Sequence, residues 1–522
     1  MVKYLDKNSG FRQWASAQQD AKPRKSWFTS FLWWFAIFLA CWWLIGKWMA
    51  PAPVATDAAV TDTQTVDITD VPRGTVSSEK LSATTQGLRI YDVKLNDFPA
   101  GANDATADTV TLLPAEDGFI EVGLIPSGTS APTPVTVWAV SDGRGTWRNS
   151  DGVTFARDVT ADNYVITVTD TITNGMSGAV SIAPYARVVR ETAGPASGVY
   201  TGAVVRANGD IEHRDWRRLD KKSYAYTTTN GFAGFADQYW ETVVSLDSAD
   251  QTIRAKKSGN KYQTDAAAAA VTIAPGATHT ITTHIFAGPR DQTVLNGAAT
   301  KIEGINQTID YGWFWFLARP MLWVLNALNS IVMNYGVAII LFTLALRLLM
   351  WPLTRKSYTS MLAMQRMQPE MARIQKLYAN DKARLQMEMM RLYQTHKTSP
   401  MSGCLPMLIQ IPIFFALYKA LLISVQMRSA HFLWISDLAA MDPYFILPVL
   451  MGATMWWQTR LQSAAPATAN DAVAATQRFM KWMPVLFTIM FAWMPAGLVL
   501  YWTMSNLFGI IQMYIIKRHL KK

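Results

Sequence analysis

Charge is scarce in this chain: 16% of its 522 residues are Asp, Glu, Lys or Arg, while half are hydrophobic. A soluble globular domain carries about a quarter charged residues, so water is not the solvent for the whole molecule. Cysteine is scarcer still. Only Cys41 and Cys404 are present, both in apolar runs, so no disulfide can tie the central region. Acids are missing from the apolar runs altogether, and after Glu388 the only ones are Asp437, Asp442 and Asp471, in expected loops. Ion-coupled transporters place carboxylates inside their spans, which argues against coupled transport. The sequence also lacks a GxxxxGK[ST] phosphate loop, an HExxH helix and any Cys/His cluster with metal-ligand spacing. Their absence excludes the common nucleotide-driven and metal-dependent chemistries, so no cofactor, metal or catalytic group is expected. The six histidines are scattered, and His279 and His284 fit the polar face of a strand.

Long apolar runs occupy the two ends of the chain and spare the middle. SWFTSFLWWFAIFLACWWLIG, between Lys25 and Lys47, is uncharged and is long enough to cross a hydrocarbon core of about 30 Å. Residues 27–49 are therefore expected to be a retained signal anchor behind a cytoplasmic tail, 1–26, because the run is too long and too Trp-rich for a cleaved leader. Five further spans are expected, near Tyr335 to Leu353, Cys404 to Met427, Tyr444 to Thr459, Phe479 to Met494 and Gly497 to Ile516. Residues 311–334 place Arg319, Asn326, Ser330 and Met333 on one stripe, as a helix lying in the membrane interface would. Lys and Arg crowd the N-terminal tail, the segment 355–397 and the terminal KRHLKK. By the positive-inside rule all three face the cytoplasm, which puts the region between the first and second spans outside.

That outer region opens with a Thr-, Asp-, Ala- and Pro-rich linker, 50–86. From 87 to 310, short alternating runs such as YDVKL (91–95), VTVWAV (135–140), YVITVTDTITN (164–174) and HTITTHIFAG (279–288) predict an all-β sandwich. The fold class is thus a membrane α-helical bundle of about six transmembrane helices carrying an all-β domain on the far side from the cytoplasm.

Within this apolar setting two features need a physical account. Arg347 lies inside AIILFTLALRLLMWPLT with no acid in any span to pair with it. It lies about 16 Å along the helix from Gly336 and about 12 Å from Arg355, so snorkelling is strained and a hydrated cavity is the remaining solution. Candidate linings are Thr343, Gln410, Tyr501, Trp502, Thr503, Ser505 and Asn506, with Trp502 and Asn506 sharing a face. Each is equally open to an interhelical hydrogen bond or an aromatic belt. Lys419, about 13 Å from Arg428, is expected to snorkel to the outer surface. The second feature is the segment 357–396, a two-helix hairpin turning at Ala379–Lys382. Among its methionines, Met364, Met367, Met371, Met387 and Met389 suit a surface that adapts to many apolar partners or a hairpin packed against itself.

LRLLMWPLTRKSYTSMLAMQRMQPEMARIQKLYANDKARLQMEMMRLYQTHKTSPMSGCLPMLIQIPIFFALYKAL resembles the YidC family of bacterial membrane protein insertases, as do HFLWISDLAAMDPYFILPVLMGATMWW and MPVLFTIMFAWMPAGLVLYWTMSNLFGIIQ. The resemblance covers about 310 to 520 almost without gaps, and YVITVTDTITN and GFAGFADQYWETVVS extend it loosely into the β region. It implies a five-helix insertase core (335–522) around a hydrophilic groove open to the cytoplasm and to lipid, and a supersandwich for the periplasmic domain. Arg347 stands at the groove's positive position, with Thr343, Gln410, Tyr501, Trp502 and Asn506 as groove candidates and the methionines of the hairpin as capture residues. Trp502 stands where many members carry Tyr, and Lys419 where an aromatic or apolar residue is the rule. The resemblance implies nascent membrane proteins as substrates, the Sec translocon and ribosome as partners, and a Gram-negative inner-membrane location; no nucleic-acid sequence recognition is expected. The rival readings are a membrane-anchored periplasmic carbohydrate enzyme, which needs a carboxylate and a histidine converging in one cleft, and a solute channel, which needs a selectivity filter.

Overall fold

The computed structural model describes residues 66–522 except 102–107, 142, 195–198, 380, 397–404, 463–481 and 522. The expected cytoplasmic tail, signal anchor and most of the linker lie outside the described residues. From Arg73 to Pro289 the chain forms two antiparallel sheets, of ten and nine strands, packed face to face. Alternation explains the packing. Val165–Thr173 and Thr278–Pro289 pair in register, with Ile166 opposite Ile285 and Val168 opposite Thr283, and their inward residues Ile166, Val168 and Ile285 are buried in the shared core. Two short helices, α1 (Trp216–Leu219) and α2 (Gln292–Ala298), complete the domain.

Two expectations fail here for local reasons. The strands Arg73–Ser77 and Leu81–Gln86 form a hairpin inside the stretch expected to be linker, because Val76, Leu81 and Ala83 turn a buried face to the core while their Ser and Thr neighbours stay more exposed. VTVWAV contributes only the edge strand Ala139–Ser141, and Val135, Val137 and Val140 are exposed. Alternation marks a strand only where one face has something to cover.

Among the described residues nine helices follow: α3 (Trp315–Val332), α4 (Tyr335–Leu349), α5 (Trp351–Arg366), α6 (Gln368–Leu377), α7 (Lys382–Thr395), α8 (Leu405–Ile423), α9 (Ile446–Gln462), α10 (Trp482–Phe491) and α11 (Ala496–Lys521). Of these α11 alone is long and apolar enough to cross a membrane unaided, and α4 with α5 passes as one span broken by a 65° bend. α8 and α10 are shorter apolar helices. Pro352 explains the bend: it has no N–H to return to the preceding turn, so α4 stops at Leu349 and a new helix starts. The span expected to run straight to Leu353 is therefore an elbow. At its other end, Asn334 caps α4 by accepting from the Val337 N–H at 3.1 Å.

α11 packs on α4 and α9, and α3 bridges α4 and α8. The α10–α11 joint is as tight as its Pro-Ala-Gly predicts, since Ala496 and Gly497 donate their N–H groups to Ala440 and Leu438 carbonyls at 2.7 and 2.9 Å. α6 and α7 form the expected hairpin. Asp381 caps α7 through the Arg384 N–H at 3.0 Å, and His396 at its far end meets Glu370 at 3.6 Å.

The end of α8 is built into the β-domain. Leu422 and Ile423 are buried in that domain's own core, and Gln238 donates to the Leu422 carbonyl at 2.9 Å. Around them Gln426 donates to Asp291 at 2.6 Å, and Arg428 donates to the carbonyls of Pro99 and Ala100 at 2.9 and 2.7 Å. The two parts of the chain thus meet through a specific seam as well as a covalent connection.

Candidate functional site

Arg347 occupies the last turn of α4, just before the elbow. A cation there faces the negative end of the helix dipole, and the bend frees terminal carbonyls that need donors. One is met from α11: Gln512 donates to the Arg347 carbonyl at 3.0 Å. The guanidinium is met from the same helix two turns earlier, where Ser505 Oγ accepts from Nη2 at 2.6 Å and from Nε at 3.1 Å. Ser505 also lies in hydrogen-bonding reach of the Tyr501 hydroxyl, which accepts from Gln410 Nε2 of α8 at 2.6 Å. Three helices are thereby joined through one polar file, Gln410, Tyr501, Ser505, Arg347.

Gly509 lies between the two grips. A Cβ built on it would stand 3.1 Å from Gln458 Nε2, 3.6 Å from the Tyr358 hydroxyl and 3.7 Å from the Arg347 guanidinium carbon. The missing side chain lets α4, α5, α9 and α11 approach one another closely beside the guanidinium. Arg347, Gln410 and Gln458 are half-buried, whereas Tyr501, Ser505, Tyr358 and Gln512 are buried. Among the described residues no carboxylate forms an ion pair with Arg347.

The expected residues fall into two groups. Arg347, Gln410 and Tyr501 come together. Thr343 is fully buried and spends its hydroxyl on the Ile339 carbonyl of its own helix at 2.6 Å. Trp502 turns away into an aromatic cluster, with ring centroids 5.2 Å from Phe414, 5.3 Å from Phe491 and 5.9 Å from Phe487. Asn506 faces α9 and donates to Thr454 Oγ1 at 3.3 Å. The stripe that meets Arg347 is Tyr501, Ser505, Gly509 and Gln512, at spacings of about one helical turn. Sequence reading paired Trp502 with Asn506, one residue out of phase, and so passed over Gly509, Gln512, Gln458 and Tyr358. The polar spacing 501, 505, 512 was the available signal.

On the hairpin, Met367 is buried and Met364, Met371 and Met389 are half-buried. Met387 and Met390 stand out on α7, at 64% and 61% exposure, and form its open apolar face.

Lys419 does not snorkel. Its ammonium meets Asp310 at 2.9 Å, from the strand of chain that enters α3. Its partner sits outside every expected span. Burial alone would raise the Asp310 carboxyl, but Lys419 and the Gly312 N–H together hold it below the usual range. Behind this pair, His213 bonds the Thr308 carbonyl at 3.2 Å, and burial lowers its pKa. His284 bonds Thr167 at 3.3 Å. Among the described residues of the β-domain no histidine is hydrogen-bonded to a carboxylate.

Two family models match the chain: the 60Kd inner membrane protein family over residues 327–522 and the YidC periplasmic domain over residues 73–324. A protein of Magnetococcus marinus named membrane protein insertase YidC is 33% identical over 526 residues, covering 91% of this chain and 92% of its own. The protein of the same name from Actinobacillus pleuropneumoniae is 36% identical over 382 residues, with 71% and 69% covered. A crystal structure of an active YidC insertase covers 85% of this chain and 94% of its own at 19% identity and a TM-score of 0.36. Matched in both of its parts by models of one family, and along nearly its whole length by insertases of that name, this chain belongs to the YidC family of membrane protein insertases.

Proposed function

We propose that this protein inserts other proteins into the bacterial inner membrane through a polar groove that opens to the cytoplasm and to lipid and is closed toward the periplasm. Arg347 carries the reading: a guanidinium at the elbow of an apolar helix, met among the described residues by neutral oxygen only. An ion without a counter-ion is expensive in hydrocarbon, so this cation needs water or a guest anion. The polar segment of a client supplies that guest, while water and Arg347 solvate it partway across. The client's own apolar span then passes into lipid, and its burial, at roughly 25 cal/mol per Å², drives the step without a nucleotide.

Residues 27–49, the elbow α4 and helices α8 to α11 make six crossings, with both termini in the cytoplasm and the β-domain in the periplasm. The apolar residues left exposed on these helices, such as Leu348, Phe415, Val449, Ile489 and Ile515, support lipid contact. The hairpin α6–α7 receives clients on the cytoplasmic side through its methionines, with Met387 and Met390 exposed on α7 and Met364, Met367, Met371 and Met389 more buried beside it. Nascent membrane proteins are the substrates, and the Sec translocon and the translating ribosome are the partners that deliver them.

The test uses single cysteines at Gln410 and Gln458 in a protein lacking Cys41 and Cys404. Both should react with a membrane-impermeant maleimide added from the cytoplasmic side and be protected from the same reagent outside. Arg347→Ala should slow insertion of a reporter with an acidic translocated tail more than one with a neutral tail. Arg347→Lys should keep part of the activity, because it retains the charge without the planar fork of donors. Cysteines unreactive from both sides, with Arg347→Ala fully active on acidic tails, would overturn the groove.

A further inference from the structure

Arg347 does not project freely from α4. Its Nε–H and one Nη2–H are both held by the single oxygen of Ser505, and among the described residues both Nη1 hydrogens and the other Nη2 hydrogen are left for a guest. Ser505 also lies within reach of the Tyr501 hydroxyl, which accepts from Gln410 Nε2 at 2.6 Å. The backbone beneath is held separately, by Gln512 on the Arg347 carbonyl. Gly509, between these two grips, lets the neighbouring helices approach closely beside the guanidinium.

Ser505 is itself buried, and it does not need to touch a client to matter. A long arginine side chain has many rotamers, and fixing its plane in advance removes an entropy cost that binding would otherwise meet. We propose that Ser505 is a positioning residue: it fixes the plane and direction of the Arg347 guanidinium so that the free edge of the fork faces the client's polar segment. This deepens the groove reading and rests on it. The effect is specific to clients that use the guanidinium. A carboxylate tail needs two parallel N–H groups in one plane, whereas a neutral tail does not.

The experiment measures insertion rates of two reporters differing only in an acidic or neutral translocated tail, at matched insertase levels in the membrane. Ser505→Ala should slow the acidic reporter roughly tenfold to a hundredfold, the size expected for one hydrogen bond to a charged group, and slow the neutral one far less. Ser505→Thr keeps the hydroxyl and should retain the rate, whereas Ser505→Val, of the same shape without it, should lose it. The Thr and Val pair carries the test if Ser505→Ala fails to accumulate. In an Arg347→Ala background, Ser505→Val should add nothing, because the group it positions is gone. Equal losses on both reporters, or a loss that persists in the Arg347→Ala background, would make Ser505 a packing residue and overturn the proposal. If Arg347→Ala discriminates between the reporters and Ser505→Val does not, the positioning role fails while the groove stands. If Arg347→Ala itself does not discriminate, the groove fails and Ser505 falls with it.

Discussion

Glu241 is buried inside the β-domain, with Oε2 accepting from the Thr308 hydroxyl at 2.8 Å and facing Arg290 Nε at 3.5 Å. Its other oxygen has no hydrogen-bond partner among the described residues. Burial dominates and pushes the carboxyl up to about 7 from 4.5, with Arg290 and Thr308 opposing it only in part. A carboxyl with a raised folded-state pKa binds its proton more tightly in the folded protein than in the unfolded chain. Its contribution to stability is therefore full below about pH 4.5 and is lost as the pH rises toward and through about 7. At 1.36 kcal/mol per pH unit, the loss over that interval is on the order of 3 kcal/mol. Glu241→Gln keeps the shape and the Thr308 contact but removes the titration. In full-length protein in detergent, unfolding of the β-domain can be followed by hydrogen exchange along Trp240–Leu246, corrected for the intrinsic rate at each pH. Between pH 5 and pH 8 the wild type should lose stability relative to the Gln variant by about that amount, equivalent to roughly 6 to 12 °C in melting temperature. Parallel behaviour of the two proteins across that range would refute the reasoning.

Two further outcomes are expected. Met387→Ser with Met390→Ser should weaken client capture, measured by crosslinking to a stalled nascent chain, while Met367→Ser should instead loosen the hairpin and raise its protease sensitivity; equal effects on capture would make the exposed pair incidental. Reversing Lys419→Asp alone should expose the seam to protease by placing two carboxylates together, and adding Asp310→Lys should restore protection; a double variant no better than the single one would mean that the pair contributes nothing.

Much of this arrangement was legible because burial leaves a periodic trace. Strands such as Val165–Thr173 alternate, and the apolar runs of α8 and α11 announce their solvent. Arg347 stood out because a charge inside an apolar run has few physical solutions. What was not legible depended on phase and on distance along the chain. Whether Tyr501 or Trp502 meets Arg347 is a rotation of about 100° on one helix, and both are aromatic. The elbow at Met350 was written in Pro352, but its consequence for Arg347, a place in the final turn beside the dipole's negative end, needed the neighbouring helices. Lys419 has its counter-ion in a segment that no local window contains, and VTVWAV has the right alternation without a surface to cover.

Leu422 and Ile423 close the core of a domain whose last strand, Thr278–Pro289, is made long before them. At 5–20 residues per second, the ribosome leaves the β-domain waiting on the order of ten seconds for its final two core residues. They arrive only when the helix that bears them, α8, has been threaded into place. The last step of folding in the β-domain is thereby tied to the biogenesis of the bundle. An insertase whose own α8 failed to enter the membrane would carry an unsealed apolar rim, a mark by which proteolysis could tell the failed molecule from the finished one.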